Sequence, residues 1–351
     1  MSKSVSGNIL KARRPWLAAL CLLSFLLLSL TPQNDQPLKR IELSGYAQGT
    51  TWHAVYYAAD TLVSKSEVDS ILLVIDSALS IYKPYSRISA FNDSRKGIKI
   101  DEHFRKVIAS SLETYRETNG LFDITVLPLV EAWGFGAKTM EQPPDSASVR
   151  QLMDCIGSDR LKLKKNKLKK SRRCIRIDVN GIAQGYSVDV VAAFLEKKGI
   201  RDYLVEIGGE LRVQGKKQPE NQSFRIGIEA PPDSGFPDEQ PLEKVLVVDS
   251  GAVTTSGNYR KYHESNGKKI SHLIDPRTGY SVQNELISVT VYAKDAMTAD
   301  AYDNALMLMG LDKALSFVES REDMAAFFIY RLPDGNVADT ASSGFYRLIQ
   351  P

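Results

Sequence analysis

The chain has 351 residues, of which 43% are hydrophobic and 25% charged, a balance typical of a globular protein with a large core. The formal net charge of +3 gives no global electrostatic reason to expect a nucleic-acid partner. Neither of the cysteines after the N-terminal region, Cys155 and Cys174, has Cys or His neighbours at zinc-ligand spacing, so a zinc site is not expected.

The N-terminus combines positive charge with an apolar run. Basic residues precede the uncharged stretch 16–30, WLAALCLLSFLLLSL. This run is short for a membrane-spanning helix and suits the apolar core of a signal peptide. We therefore predict a signal peptide or N-terminal membrane anchor over 1–33, a linker at 34–40, and one domain over 41–351. Export would place the domain on the periplasmic side of a bacterial inner membrane.

The first half of this domain predicts strands and amphipathic helices in turn. Apolar residues at helical spacing indicate a helix that Ser66 caps, and Asn119 with Gly120 ends the next helix. Pro128 argues against one regular element around it. In chain order we predict a hairpin at 41–58, helices at 66–80 and 101–118, an irregular stretch at 120–136 and a short helix at 146–157.

A strongly basic segment follows. Residues 160–176 carry ten lysines and arginines, and leucines alternate with lysines around Asn166. The alternation predicts a hairpin whose lysines protect an exposed sheet edge. The other interpretation is a patch for an anionic surface or nucleic acid. Next to this segment, Cys155 and Cys174 either form one disulfide or remain two separate buried thiols.

The second half mixes strands with two long helices. Gly208 and Gly209 separate two strands. A helix that starts near Thr298 follows the strand at 286–293. Many local strand pairs, rather than strict strand–helix–strand alternation, indicate the α+β class. The predicted elements are a helix at 180–199, strands at 203–215, 223–231, 244–257, 268–274 and 286–293, the helix from 298, and strands at 324–331 and 344–351.

Three oxygen-bearing side chains share one face of that helix. Asp300, Asp303 and Asn304 stand at i, i+3 and i+4. They either hold a cation such as Mg²⁺, which prefers hard oxygen ligands, or are acids of the helix's first turn that favour its dipole.

Three other segments offer polar groups for chemistry. DVNGIAQGYSVD, 178–189, reads as a strand ending at Asp178 before a helix N-terminus, which either receives an anion or is a tight turn. His272 is either structural or a general base. TTSGNY, 254–259, either lines a nucleotide pocket or is a plain loop.

Taken together and in order, these segments resemble the ApbE-type FAD:protein FMN transferases over roughly residues 41–348. The resemblance implies a T-fold-like α+β domain of mixed, mainly antiparallel sheets flanked by helices, with a flavin site in a cleft. The matching blocks are GTTW, IYKPYSRISAFN, GLFDITVLPLVEAWGFG, DVNGIAQGYSVD, IGGELRVQG, TTSGNY, HLIDPRTG and ADAYDNALMLMG.

The resemblance also implies the chemistry. FAD binds with Mg²⁺, a threonine hydroxyl of a target protein attacks the FMN-side phosphorus, and AMP leaves. Some family members let water attack instead. His272 matches the family's base. The matching metal ligands are Gly181 through its carbonyl, Asp300, Asp303 and Asn304. The matching FAD contacts are Gln48, Tyr82, Leu121, Phe122, Asp123, Asp178, Gln184 and Leu273.

The chain departs from the family pattern at two of these positions. Gln184 replaces a lysine, and Asn304 replaces a threonine, which bears on metal preference and affinity. SGAVT, 250–254, resembles the segments that such enzymes modify, so self-modification at Thr254 is open. The implied partners are FAD and an exported electron-transfer flavoprotein at the membrane. The alternatives are an FAD pyrophosphatase and a non-catalytic flavin-binding protein.

Overall fold

The computed structural model describes residue 1 and residues 37–136, 143–229, 242–258, 262–265 and 268–350. Contacts within the chain define two units, Met1–Pro37 and Leu38–Pro351. The predicted signal peptide or anchor lies outside the described residues, except for Met1, and stays a prediction. Within the described ranges, we find no helix with the length and apolar character needed to cross a membrane.

Most strands of the described chain belong to one large sheet. In chain order the strands are β1 (Lys39–Ala47), β2 (Thr50–Ala58), β3 (Gly97–Lys99), β4 (Leu161–Lys164), β5 (Lys167–Lys170), β6 (Tyr203–Ile207), β7 (Glu210–Gln214), β8 (Phe224–Glu229), β9 (Leu242–Val248), β10 (Ser250–Gly257), β11 (Tyr262–Ser265), β12 (Lys268–Ser271), β13 (Leu286–Ala293), β14 (Met324–Arg331) and β15 (Val337–Ala341). The large sheet has the order β1-β2-β6-β7-β10-β13-β14-β15, and every neighbouring pair is antiparallel.

Smaller sheets and helices surround it. The order β3-β5-β4 forms a three-stranded sheet, and β8 pairs with β9 and β11 with β12. The α+β prediction with mainly antiparallel sheets is therefore confirmed. The helices are α1 (Lys65–Leu79), α2 (Arg87–Asp93), α3 (Glu102–Glu117), α4 (Leu127–Ala132), α5 (Ser146–Met153), α6 (Asn180–Lys197), α7 (Ala296–Met309), α8 (Leu311–Glu319) and α9 (Ser343–Tyr346).

The long helices cover one face of the large sheet, and the β8–β9 pair with the short helix α9 covers the other. Alternating residues point to opposite faces, so Tyr56 packs into the cluster under α1, α3 and α6, whereas Tyr57 packs on the far side. The same helical face continues under α7 and α8, where Val291 and Phe328 are buried. Phe345 of α9 and the β8–β9 pair cover the other face. The core therefore places α6 and α7 next to each other on one face.

Several helix ends differ from the sequence prediction, and the helix predicted at 146–157 already ends at Met153. Ser64, not Ser66, caps α1, because its hydroxyl accepts from the amide of Glu67 while the Glu67 carboxylate accepts from the amide of Ser64. The helix predicted from Thr298 begins earlier, at Ala296.

Other segments also differ, and the stretch 120–136 that was expected to be irregular contains the helix α4. The strand predicted to end at Asp178 is only a single parallel bridge between Val126 and Arg176. The predicted strand 344–351 is wrong, because Phe345 is drawn into the core by the short helix α9 and its ring stacks on Phe327 at 5.8 Å. β15 was not predicted. Lys39 and Arg40, predicted as linker, lie in β1.

Candidate active site

The acidic face of α7 is buried inside the protein. Asp300 and Asp303 are only 3% and 1% exposed. The helix begins at Ala296 behind its cap, Asp295, so neither acid lies in the first turn. The first-turn interpretation is therefore wrong. A carboxylate oxygen of Asp300 accepts a hydrogen bond from the backbone amide of Gly185 on α6 at 2.8 Å.

Asn304 completes this buried polar face. Its amide nitrogen donates to Oδ1 of Asp303 at 2.8 Å and to the backbone carbonyl of Asp300 at 2.9 Å. Its side-chain oxygen accepts from the hydroxyl of Ser256 at 3.3 Å. A Cβ atom added to Gly181 would lie 3.3 Å from the Asn304 amide nitrogen. The structure thus brings the four predicted metal ligands together.

Burial sets the electrostatics of the two acids. Burial raises the pKa of Asp300 to about 7; the hydrogen bond from Gly185 opposes this rise, and the charge of Asp189 adds to it. Burial and then the charge of Asp300 raise the pKa of Asp303 well above its ordinary value. In the parts of the chain that the structure describes, no lysine or arginine pairs with either acid. A bound cation would offset both charges.

The donor set fits a hard divalent cation. The described residues contain no cluster of three or more His, Cys, Asp and Glu side chains that could hold a metal. The predicted metal-binding group on α7 has only two such side chains, Asp300 and Asp303. Its other donors are an amide oxygen and a backbone carbonyl, which Mg²⁺ accepts. The buried Thr254 hydroxyl lies close enough to Asp303 to lower the pKa of that carboxyl through a hydrogen bond, and it has no other partner among the described residues. It is a further oxygen atom close to Asp303.

The first turn of α6 is irregular where it meets this group. Gly181 has non-helical backbone angles, φ −84° and ψ 20°, inside the helix. Before it, Asp178 accepts from the backbone amide of Asn180 at 2.8 Å, and the Asn180 side chain donates to the Tyr82 hydroxyl at 3.3 Å. The segment after Asp178 is thus a helix N-terminus, as predicted, although its first turn is kinked at Gly181.

Most of the predicted site residues line two cavities that share Tyr82 and Asn180. The smaller cavity has about 180 Å³ and the larger, more open one about 760 Å³. Of the predicted residues, the smaller is lined by Tyr82, Leu121, Phe122, Asp123, Asp178, Gly181, His272, Leu273 and Asn304. The larger is lined by Gln48, Tyr82 and Gln184. Asp300 and Asp303 line neither cavity.

Two residues on the wall of the smaller cavity have distinct surroundings. The Asp123 carboxylate accepts four hydrogen bonds from Thr125 and Ser158, and burial raises its pKa. It therefore braces the wall in addition to its predicted role. His272 directly follows β12, and its ring lies edge-on to Phe135 with centroids 6.3 Å apart. This places an imidazole on the wall of the smaller cavity, which Asn304 also lines.

The two glutamines of the larger cavity have partners that the sequence did not suggest. Gln184 donates to the carbonyl of Ile207 at 2.7 Å and to the carboxylate of Glu210. Gln48 has a positive φ of 55° and donates to the hydroxyl of Ser187 at 2.8 Å. Glu210 lies in the block IGGELRVQG and Ser187 in the block DVNGIAQGYSVD. Membership of these blocks was the only sequence signal that could have pointed to them.

Asp189 is a third residue that the sequence reasoning missed. Its carboxylate accepts from the backbone amides of Ala296 and Met297 at 3.0 and 2.8 Å, and it pairs with Arg212. An acid on α6 thus binds the N-terminus of α7, where the helix dipole favours negative charge.

The segment TTSGNY is not a plain loop, because its residues Thr254–Gly257 lie in β10. Its last residue, Tyr259, lies outside the described residues.

Comparison with known proteins agrees with this arrangement. The model of the ApbE family matches residues 48–328. The FAD:protein FMN transferase of Haemophilus influenzae is 37% identical over 325 residues, covering 89% of this chain and 92% of that protein. The enzyme of the same name from Vibrio cholerae is 33% identical over 339 residues, covering 95% of this chain and 98% of that protein.

Solved structures agree as well. The flavin transferase ApbE from Vibrio cholerae superposes with a TM-score of 0.79 at 31% identity, covering 89% of this chain and 100% of that one. The apo form of the Pseudomonas stutzeri flavinyl transferase ApbE gives 0.80 at 32% identity, covering 90% and 98%. On the match to the family model and these full-length likenesses, the chain belongs to the ApbE family.

Proposed function

We propose that this chain is a Mg²⁺-dependent FAD:protein FMN transferase, which attaches FMN from FAD to a threonine hydroxyl of a target protein and releases AMP. Family membership and the names of its relatives support the flavin-transferase class. The observation that carries the finer proposal is a buried pair of acids hydrogen-bonded to Asn304, which lines the same cavity as His272.

Asp300, Asp303, Asn304 and the carbonyl of Gly181 would hold the Mg²⁺. When bound, this ion would neutralise negative charge on the FAD pyrophosphate as its bridge breaks. The raised pKa values of the two acids support the assignment, because a cation would restore both carboxylates to their charged form. The buried Thr254 hydroxyl adds a further oxygen atom close to Asp303, which also suits a hard cation.

The remaining site residues divide between apolar walls and polar contacts. Leu121, Phe122 and Leu273 offer apolar surface for the flavin or adenine rings. Tyr82 joins the two cavities, so a dinucleotide that fills both would contact it at the middle of its length. Asp178, Gln184 and Gln48 would provide polar contacts. The Gln184 amide, which donates to Glu210, is uncharged and so brings no positive charge to the nucleotide, in contrast to a lysine.

We propose that His272 is the base of the transfer step, which its place on the cavity wall supports. The imidazole takes the proton of the acceptor threonine hydroxyl as its oxygen attacks the FMN-side phosphorus. A new phosphorus–oxygen bond forms to the threonine, and the bond from that phosphorus to the bridging oxygen breaks. The bridging oxygen leaves with its electron pair as part of AMP. Flavin mononucleotide then remains on the acceptor as a phosphoester.

We also propose that the enzyme acts outside the cytoplasm, next to the membrane, on subunits of electron-transfer complexes. The basic and apolar N-terminal sequence supports export. A disulfide joins Cys155 and Cys174, with Cα atoms 5.4 Å apart, and such bonds persist in oxidising compartments such as the periplasm. Of the two alternatives for these cysteines, the structure thus contains the disulfide.

Intact mass spectrometry of a purified candidate acceptor tests the proposal. Incubation with FAD and MgCl₂ should add the mass of one FMN to the acceptor, and EDTA or replacement of the acceptor threonine by valine should prevent it. Rapid AMP release without any acceptor would instead indicate a pyrophosphatase. FAD that binds and survives intact in the presence of acceptor would indicate a non-catalytic carrier.

A further inference from the structure

The solvent side of the small sheet β3-β5-β4 carries a regular array of lysines. In the strand register, Lys99 lies opposite Lys167, which lies opposite Lys164 on its other side. In the next row Lys169 lies opposite Lys162. Because side chains alternate between the faces of a sheet, all five point to the same side, and all five are exposed. We refer to these five residues as the lysine face.

The other side of this sheet is anchored in the protein. Leu168 is fully buried, and Ile98 and Leu163 pack against the main core. Gly97 takes the sixth position of the lysine face with φ 119°, and a Cβ there would clash with the Leu168 carbonyl. The sheet is therefore a rigid platform that holds its lysines in fixed register.

Protection of a sheet edge does not account for this arrangement. Lysines on β4 or β3 would protect the edges, but Lys167 and Lys169 lie on β5, the central strand, which has no free edge. Like charges directly opposite each other on neighbouring strands destabilise a sheet. Among the described residues, no ion pair joins the lysine face to an acid. Opposed lysines cost stability, and scattered charges would provide solubility without that cost. Solubility alone therefore does not explain the lysine face.

The composition of the face points to one kind of partner. The face contains lysines only, and lysine acts as a point charge, whereas specific phosphate binding favours the arginine fork. It has no aromatic side chain on which a base could stack. None of its residues lines either cavity of the active site. A flat array of point charges suits a broad plane of negative charge rather than a pocket-sized ligand.

We propose that the lysine face binds the headgroups of anionic phospholipids and so seats the catalytic domain on the bilayer. The inference rests on the proposed location beside a membrane, because the same chain carries the basic and apolar N-terminal sequence. Each lysine near an anionic bilayer adds to the attraction, and the sum falls off within a Debye length of about 10 Å at 0.1 M salt. Binding should therefore be specific for anionic lipid and sensitive to salt.

Vesicle co-sedimentation of the full chain tests this. The test variant changes Lys162, Lys164, Lys167 and Lys169 to glutamine. The matched control changes four exposed lysines elsewhere, Lys106, Lys197, Lys294 and Lys313, to glutamine, so both variants lose the same net charge. Vesicles of phosphatidylcholine alone are compared with vesicles in which phosphatidylglycerol replaces part of it. The N-terminal sequence is present in all three proteins and supplies the same baseline.

The wild type and control should prefer the anionic vesicles by about tenfold or more at 0.1 M salt, and the test variant should lose that preference. Raising the salt concentration should remove the preference for anionic vesicles from the wild type and the control. The test variant should melt at the same temperature as the wild type or higher, since opposed like charges are gone, so misfolding would not explain a loss.

Three results would overturn the proposal. The test variant could retain the preference, or the control could lose it equally, which would indicate net charge alone. Alternatively, the test variant could bind vesicles normally but show a raised KM for the acceptor protein, which would indicate an acidic protein partner. Transfer of FMN in a vesicle-free assay should be equal in all three proteins. Its absence from the wild type would contradict the proposed function and leave the vesicle result standing.

Discussion

The carboxylate of Asp300 accepts a hydrogen bond from the backbone amide of Gly185, 2.8 Å away across the contact between α6 and α7. Asp189 makes the reciprocal contact from α6 to the first amides of α7. Two acids, the buried Asp300 and the partly exposed Asp189, thus fix one helix against the other. The same packing presents the Gly181 turn to Asn304, so the geometry of the proposed metal site depends on how closely these helices approach.

Replacing Asp300 by asparagine should separate charge from structure. The amide oxygen can still accept from Gly185, but the negative charge is lost. We expect FMN transfer to fall at least a hundredfold, or about 2.7 kcal/mol in activation free energy. MgCl₂ should raise the melting temperature of the wild type and leave that of the variant unchanged. Undiminished transfer by the variant would rule out the metal assignment.

His272→Ala should abolish transfer while FAD still binds. The ring lies on the cavity wall and contacts Phe135 at its edge, so its removal leaves the other lining residues in place. We expect a loss of about a hundredfold or more in the transfer rate, the usual contribution of a positioned base. Titration of flavin fluorescence gives the FAD affinity, which should change less than threefold. If FAD binding disappears instead, His272 is a structural residue.

Gln184→Lys should strengthen FAD binding. A lysine there would lie beside Glu210 and bring a positive charge to the larger cavity. We expect the KM for FAD to fall about threefold, within the range of a partly exposed charge pair. The double change with Glu210→Gln serves as the control, because it tests whether the effect passes through that carboxylate. An unchanged or higher KM would show that this position does not face the nucleotide.

Gly185→Ala should destabilise the protein and weaken the site together. A Cβ at this position would clash with the carbonyl of Ala296 and lie 2.8 Å from the Cβ of Asp300. The helices must then move apart, at a cost of about 1–3 kcal/mol in the free energy of unfolding. Chemical denaturation measures this loss, and the Mg²⁺-induced rise in melting temperature should shrink with it. Wild-type stability would show that α6 and α7 are not held so closely.

Reduction of the disulfide should loosen one wall of the smaller cavity. Cys155 lies shortly before Ser158, which braces Asp123, and Cys174 lies shortly before Asp178. Releasing a loop of this length costs about 3 kcal/mol by the chain-entropy estimate. We expect a reductant to lower the melting temperature by several degrees and to weaken FAD binding. The double variant Cys155→Ala, Cys174→Ala should show both effects without reductant and no further change with it.

Local signals predicted most of the central elements. The Gly208–Gly209 turn between β6 and β7 was visible because two alternating apolar runs flank it. Asp101 caps the start of α3, and Asn119, which has a positive φ, follows its end. Both residue types are common at these positions of helices. The sequence failed at short elements near the C-terminus. The four residues of α9 are too few to show helical periodicity, and only the contact of Phe345 with Phe327 reveals why the chain turns there.

The sequence predicted which side chains of α7 share a face, but not that this face is buried. The i, i+3, i+4 spacing correctly placed Asp300, Asp303 and Asn304 on one face. Whether that face meets solvent or another helix depends on contacts between distant segments, which spacing along one helix does not carry. Glu210 and Asp189 were missed for the same reason, because each acts through a partner more than twenty residues away.

Thr254 is sealed inside β10 with no exposed surface. Although SGAVT looks like an acceptor sequence, its hydroxyl would have to leave the central sheet before any phosphorus could reach it. We therefore do not expect the enzyme to modify itself at Thr254. Under the proposed function, the acceptor hydroxyl has to come from another polypeptide.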